Sequence, residues 1–363
     1  MGAVFDGPSS PELDPPQLDP RERRARLRLA RSARVGPVTF HEALGHFGSA
    51  HAACAQLTTA SVADIAREEA ALAAVQGRFL VFGDSDYPAA LAHLPDAPPV
   101  LSAIGDIGLL GRPALAVVGA REASAAGRRF AGDLSQALGA AGFVVASGLA
   151  RGIDAAAHAA ALDTGTVAVL AGGIDQIYPP QNAGLHREIA ARGLLLAESP
   201  FGVPPLARAF PRRNRIVSGL SLGVVVVEAA DRSGSLITAR MAADQGREVF
   251  VVPGSPMDPR YAGSNSLIRD GAILTRDVSD ILTTLGRPVE NIRKAPQPII
   301  KQYENGNASD HAKVLSELSS VPTAVDEVVR RCQVSAAAVA DVLLSLELEG
   351  RLERHRGNRV SLI

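Results

Sequence analysis

Between residues 115 and 274 the chain repeats one pattern. A short apolar run is followed by a glycine-containing turn and then by a stretch with helical periodicity. The runs are Leu115–Val118, Phe143–Ala146, Thr166–Leu170, Leu194–Glu198, Gly223–Glu228 and Glu248–Val252. Helices are predicted over Ala125–Ala140, from Asp154 to Ala161, and over Asn182–Arg192 and Ser235–Gln245. Asn214–Gly219 reads as a helix or turn beneath a ligand crevice. A short helix at Asn265–Ile268, an edge strand at Gly271–Leu274 and a last helix over 278–285 complete the series. The strands are continuously apolar rather than alternating, so helices should cover both faces of a mostly parallel sheet. Val224 to Val227, four valines in a row, is the clearest case.

The flanks have other patterns. Residues 1–18 are rich in Pro, Asp, Ser and Gly and are expected to be a disordered tail. Residues 19–78 predict a small helical domain of the sterile-alpha-motif or helix-hairpin-helix kind. Its helices run from Pro20 to Arg31, His41 to Phe47, Ala50 to Leu57 and Ser61 to Glu69, with Ser61 as a cap. Such modules hold DNA backbone or other proteins, and the pattern leaves both open. Phe79–Val81 and Pro99–Gly105 read as strands entering the main domain, which spans 79–285. Residues 286–308 carry prolines and Asn305-Gly306-Asn307 and read as a linker. Residues 309–363 predict helices at His311–Leu318, Thr323–Arg331 and Ser335–Glu349, with Thr323 and Ser335 as caps. A two-stranded wing over Gly350–Val360 follows, the pattern of a winged helix. The fold class is therefore α/β: an extended Rossmann-like, mostly parallel sheet between a small N-terminal helical domain and a C-terminal winged-helix domain.

Composition narrows the function. Hydrophobic residues make up 47% of the 363 residues, enough for a real core, and the net charge is −1. A nucleic-acid site must then be a local basic patch. Lysine occurs only at Lys294, Lys301 and Lys313, so arginine carries nearly all positive charge and favours forked contacts to phosphate. Cys54 and Cys332 stand far apart without ligand spacing, which predicts neither a disulfide nor a zinc site. No secretion signal is apparent, and Leu220–Val227 is too short to span a bilayer. A cytoplasmic protein without membrane contact is expected.

Four stretches carry candidate chemistry. Gly119-Ala120-Arg121 presents backbone N–H groups and a guanidinium at a strand end. Ser147-Gly148-Leu149-Ala150-Arg151-Gly152-Ile153-Asp154 offers a hydroxyl, an arginine and two glycines that permit close approach of a phosphate. Asp154 either holds Arg151 or caps a helix, and His158 follows four residues later. Phe210-Pro211-Arg212-Arg213-Asn214-Arg215, with Arg208 nearby, puts three arginines in four residues beside an aromatic face suited to base stacking. Ser233-Gly234-Ser235, followed by Thr238, opens a helix after Glu228. Each also has a plain reading: a tight turn, a solvated basic loop, an ordinary capped helix. No Gly-x-Gly-x-x-Gly follows the first strand, and there is no Walker lysine, nucleophile–base set or metal spacing. Binding without catalysis, cofactor or metal is expected.

These motifs, with Gly165–Leu170, Asp175–Pro179, Ile216–Ser221, Pro253-Gly254 and Gly263–Asn265, resemble the DNA-processing protein A (Smf) family, densely over about residues 80–280. The resemblance implies an extended Rossmann domain that binds single-stranded DNA. It implies protection of incoming strands in natural transformation, dimerisation through that domain, and loading of the RecA recombinase past single-strand-binding protein. Pocket roles would fall on Gly119, Arg121, Ser147, Gly148, Arg151, Gly152, Arg208, Phe210, Arg212, Arg213, Asn214, Arg215, Ser233, Gly234, Ser235 and Thr238. The family's usual Gly-Ser-Arg is here Gly119-Ala120-Arg121, which removes one hydroxyl. Two other readings remain. One is a Rossmann-type nucleotide phosphoribohydrolase, although Ala171-Gly172-Gly173-Ile174-Asp175 lacks that group's Pro-Gly-Gly-x-Gly-Thr stretch. The other is a duplex-binding regulator acting through the wing arginines Arg351, Arg354, Arg356 and Arg359.

Overall fold

A computed structural model describes residues 17–286, 308–355 and 357–363. Most of the expected N-terminal tail and linker, and Arg356 of the wing, lie outside the described residues. The chain divides into two compact units, Met1–Arg293 and Lys294–Ile363.

The first unit begins with four helices: α1 (Pro20–Ala30), α2 (Pro37–Phe47), α3 (Ala50–Gln56) and α4 (Val62–Ala74). Their starts are chemically marked. Asp19 accepts hydrogen bonds from the Arg21 and Glu22 amides, Ser49 caps α3, and Ser61 with Asp64 forms a capping box. Gly48 ends α2 in the left-handed conformation (φ 75°) that glycine adopts at little cost. Helix α2 starts at Pro37, four residues before the predicted His41. Leu29, Phe40, Ala50 and Ala53 form the small core beneath these helices.

A nine-stranded sheet follows, with β1 (Arg78–Val81), β2 (Val100–Gly105), β3 (Ala114–Val118), β4 (Val144–Ser147), β5 (Thr166–Leu170), β6 (Leu194–Ala197), β7 (Gly223–Val226), β8 (Glu248–Val251) and β9 (Ile273–Leu274). The order is β1-β2-β6-β5-β4-β3-β7-β8-β9. Strands β3 to β9 are parallel, while β2 joins β6, and β1 joins β2, in antiparallel fashion. The helices between them are α5 (Ala89–Ala92), α6 (Ala125–Ala140), α7 (Ile153–Ala161), α8 (Ala183–Arg192), α9 (Ala209–Gly219), α10 (Gly234–Asp244), α11 (Ala262–Arg269) and α12 (Val278–Thr284).

Alternate residues of one strand feed two cores. Leu115, Val117, Val225 and Val227 pack with Leu134 and Leu138 of α6 and Ile281 of α12. Ala116, Val118, Val224 and Val226 pack with Ile216 and Val217 of α9 and Ala239 of α10. Leu115 and Leu138 are fully buried, and truncating such a leucine to alanine typically costs about 2–5 kcal/mol. The chain runs from β3 outward to β6 and then returns to place β7 on the other side of β3. The β3–β7 boundary is therefore the topological switch point, where open α/β sheets usually take ligands.

The second unit holds α13 (Ala308–Ser316), β10 (Thr323–Ala324), α14 (Val325–Cys332), α15 (Ala336–Leu348), β11 (Leu352–His355) and β12 (Arg359–Leu362), with strand order β10-β12-β11. Val328, Val339, Leu343, Leu346 and Val360 form its core. Ser335 caps α15 as expected. Thr323 caps nothing; it lies in β10, paired with Val360, so the sheet claims it before the helix starts.

Candidate functional site

The switch point is occupied by the protein's own carboxylate. Glu228, fully buried just after β7, accepts hydrogen bonds from the Ser124 amide (2.9 Å), the Ser124 hydroxyl and the Tyr261 hydroxyl (2.9 Å). Ser124 is the N-cap of α6, so Glu228 sits where a nucleotide phosphate would meet the amino end of that helix. A Cβ at Gly127 would lie 2.5 Å from the carboxylate, so this glycine is what lets Glu228 approach. The arrangement works against a mononucleotide at this position. Ser233, Gly234 and Ser235 form a helix start that is closed internally, where Ser233 accepts from the Ser235 amide and lies 2.6 Å from its hydroxyl, and Thr238, one turn further along α10, is buried.

The open site lies one step along the sheet, beyond the carboxyl ends of β4 and β5. A cavity of about 320 Å³ is lined there by Arg121, Gly148, Arg151, Tyr178, Phe210 and Arg213, with Gln176 and Gln181 among its polar groups. Three arginines and no carboxylate face it. The Arg121 guanidinium carbon lies 5.1 Å from the centre of the Phe210 ring, and Tyr178 meets Phe210 edge-on at 5.8 Å. Among the described residues Arg121 has no ion-pair partner, and it is exposed. It is a cation held over an aromatic face and free to take an anion.

The loop under this cavity is fixed from below. Asp154 accepts from the Gly148 (3.1 Å) and Ala150 (3.3 Å) amides. The Asn182 side chain donates to the Leu149 and Ala150 carbonyls at 3.0 and 3.1 Å. Of the two roles open to Asp154 in the sequence, it takes neither a hold on Arg151 nor a simple cap; it fastens the loop. The buried His158 lies 2.7 Å from the Thr166 hydroxyl through Nδ1 and accepts from the Leu149 amide through Nε2 (3.3 Å). The Thr166 hydroxyl itself donates to the Val145 carbonyl, so Nδ1 carries the proton and the ring is neutral. Burial and nearby Arg213 push His158 down to about 3. Gly152 has φ 77°, and a side chain there would strike the Ala120 carbonyl. Gly148 has no room either, because a Cβ would meet the Arg213 guanidinium.

Arg213 forms the cavity floor. Its Nη1 donates to the Gly148 and Val169 carbonyls and its Nε to the Asn214 side chain (3.1 Å). Burial lowers it to about 10, with Asp154 opposing the shift and Arg121 adding to it. Burial likewise raises Asp154, with Arg213 and the loop amides opposing. Two cations thus share one end of the cavity with one buried carboxylate behind them.

The remaining candidates divide by position. Gly119 packs against Ile153, and Ser147 is buried with its hydroxyl donated to the Val117 carbonyl; both sit behind the cavity. Arg208 and Arg212 line a neighbouring cavity. Arg215 does not reach the crevice: its Nη2 lies 2.6 Å from Glu198 Oε1, its Nη1 donates to the Asp96 carbonyl, and its Nε lies 3.4 Å from the Asp96 carboxylate. It fastens α9 to the end of β6. Helix α9 also starts at Ala209 rather than Asn214, so the arginine run is helical and its members point in different directions. Gln176, Tyr178, Pro179 and Gln181 line the cavity without having been singled out as site residues. Asp175–Pro179 stood out only as a family motif, because a short polar turn has no periodicity to place it against Phe210. Among the described residues no group of three or more His, Cys, Asp or Glu side chains could hold a metal.

Comparison with known proteins bears on all three parts of the chain. Residues 78–286 match the model of DNA recombination-mediator protein A, residues 296–358 that of the DprA winged helix domain, and residues 20–74 that of the DprA-like N-terminal HHH domain. Protein Smf of Escherichia coli is 41% identical over 288 residues, covering 78% of this chain and 77% of that protein. DNA processing protein A of Streptococcus pneumoniae has a crystal structure that aligns with a TM-score of 0.58 at 37% identity, over 69% of this chain and 83% of that one. A structure of DNA processing protein A from Helicobacter pylori, described for its single-stranded DNA binding mode, aligns with a TM-score of 0.54 at 32% identity, over 58% of this chain and 95% of that one.

Proposed function

The chain belongs to the DNA recombination-mediator protein A family, and from that premise we propose that it binds single-stranded DNA without chemistry and delivers the strand to a recombinase. The observation that carries this reading is the 320 Å³ cavity with three arginines, no carboxylate and Phe210 under Arg121. Unpaired bases stack on aromatic rings in a way that tolerates any sequence, while guanidinium groups hold the phosphates between them. Duplex DNA keeps its bases stacked on each other and cannot present one to Phe210. The loop at 148–152 is already fastened by Asp154, His158 and Asn182, so little order is lost on binding. With Glu228 filling the switch point, nucleotide hydrolysis there has no seat for its substrate.

The finer assignments belong to the same proposal: action in natural transformation, RecA as the receiving recombinase, single-strand-binding protein as the competitor it displaces, a homodimer formed through the sheet domain, and a cytoplasmic location. Among the described residues no helix is long and apolar enough to cross a membrane.

The test is a titration with single- and double-stranded oligonucleotides of equal length at several salt concentrations. Single strands should bind more tightly, and log affinity should fall with log salt at about −0.7 per phosphate neutralised. Equal affinity for both forms, or a flat salt dependence, would sink the reading.

A further inference from the structure

A second cavity, of about 250 Å³, lies where the N-terminal helices meet the sheet. Its walls include Arg31 after α1, Gly36 and Pro37 at the start of α2, Glu198 after β6, Arg208 just before α9 and Arg212 in its first turn. The Arg31 side chain is only 8% exposed. Its Nε is held by Glu68 and its Nη1 by the Glu198 carbonyl (3.1 Å), and its guanidinium carbon lies 5.6 Å from the centre of the Phe79 ring, but Nη2 is buried with no hydrogen-bond partner. A buried guanidinium nitrogen without an acceptor carries a cost that a ligand oxygen would remove. The eleven-residue helix α2 opens at this cavity, and no side chain caps it. Its amino end carries positive partial charge beside the orphaned donor.

Arg208 and Arg212 complete the set. They stand one helical turn apart and both are exposed. The carboxylate nearest Arg212 is Glu198 at 3.6 Å, and the same oxygen already lies 2.6 Å from Arg215. The cavity therefore gathers three cations; Glu68 engages only the Nε of Arg31, and Glu198, the carboxylate in the wall, is already taken by Arg215. The first turns of α9 are a wall common to both cavities: Phe210 and Arg213 face the first, and Arg208 and Arg212 the second.

We propose that this second cavity is a phosphodiester subsite for the same single strand, in which Arg31 and the amino end of α2 act with Arg208 and Arg212. A strand stacked on Phe210 crosses the start of α9 and lays its next phosphates between α2 and α9. This deepens the single-strand reading and rests on it. It makes the N-terminal helical domain part of the nucleic-acid surface.

Gly36→Asp in the full chain tests the proposal. Gly36 has φ −95° and ψ 179°, open to any residue, and a Cβ there meets nothing within 4 Å. Aspartate at this position caps α2 and puts a carboxylate in the proposed phosphate seat. Affinity is read with oligo-dT of about 6 and about 20 nucleotides, lengths that bracket one and several contacts. The variant should keep or raise Tm and bind the short oligonucleotide within about twofold of wild type. It should bind the long one about fivefold to tenfold more weakly, with a salt slope shallower by about one contact. Arg31→Lys, which keeps the charge but loses the fork, should shift the long oligonucleotide the same way and less.

Unchanged long-strand affinity and slope in a folded Gly36→Asp protein would overturn the subsite, as would equal weakening at both lengths. If a 5′-phosphate on the short oligonucleotide alone reproduces the gain and Gly36→Asp abolishes it, the seat takes a terminal phosphate and the phosphodiester assignment fails. Failure of wild type to bind either length would defeat the single-strand reading itself.

Discussion

Arg121, Arg213 and Arg215 are the same residue type in three different jobs. Arg121 is exposed over Phe210 without a carboxylate partner, Arg213 is a buried floor braced by carbonyls, and Arg215 is a fastener between Glu198 and Asp96. Arg121→Ala should therefore weaken oligo-dT binding about tenfold or more while costing no more than about 1 kcal/mol of stability, the size of an exposed cation–aromatic contact, read as a small shift in Tm. Arg215→Ala should do the reverse first: it removes the closer of two cations at Glu198, leaving exposed Arg212 at 3.6 Å, and frees the Asp96 carbonyl, which should cost about 1–3 kcal/mol, read as a lower urea midpoint. Such roles were not legible in the sequence, because the partners that separate them come from positions 17 and 119 residues away along the chain. His158 shows the same limit. Its spacing from Asp154 suggested a shared helical face, and only its contacts with Thr166 and Leu149 identify it as a neutral brace. Its pKa is depressed on folding, from the usual 6.5 to about 3. Its contribution is thus complete above pH 6.5 and is lost as pH falls towards 3, because the unfolded chain takes a proton that the folded one refuses. Unfolding free energy should drop across that window by up to about 1.4 kcal/mol per pH unit for this group. His158→Asn should flatten the slope; what remains comes from His186, which burial also lowers, and from carboxylates such as Glu22 and Asp280 held below their usual range, with buried Asp154 acting in the opposite sense.

At the scale of elements, periodicity identified the strands from β3 to β8 within a residue or two, since β3 to β7 are short runs buried on both faces and β8, though it opens on exposed Glu248, ends in buried Phe250 and Val251. It did not reveal the switch point's occupant, because a glutamate ending a strand looks like any polar terminator. Helix α9 was misplaced for a related reason. Pro211 and two arginines suggest a loop, yet proline is harmless in a first turn, where its missing N–H would have had no partner. The consequence for Glu228 is testable. Glu228→Ala leaves the Ser124 amide and the Tyr261 hydroxyl without their acceptor and opens space beside Gly127. It should cost about 2–3 kcal/mol by denaturant unfolding, the usual penalty for orphaned buried donors. Oligo-dT affinity measured below the unfolding transition should stay near wild type, since Glu228 does not line the arginine cavity. A large loss of affinity in the folded variant would mean that the strand path runs through the switch point after all.

At the scale of the whole molecule, the two compact units carry different surfaces. The first holds both arginine-lined cavities. In the second, the helix that would enter a major groove is α15, and its exposed positions include Ala336, Ala337, Ala340, Asp341, Leu344 and Glu347. None of these is basic, and the two acids would repel phosphate. Of the wing arginines, Arg354 lies 2.8 Å from Glu347 and Arg351 lies 3.2 Å from Glu349, so both are engaged. A small apolar face edged with acids suits contact with another protein better than base reading. A chain ended after residue 286 should therefore keep its single-strand affinity within about twofold and its salt slope unchanged, because no phosphate contact is removed. The same titration run on both lengths of chain decides the matter. A slope shallower by two or more contacts in the shortened chain would place nucleic acid on the winged helix and reverse this division of labour.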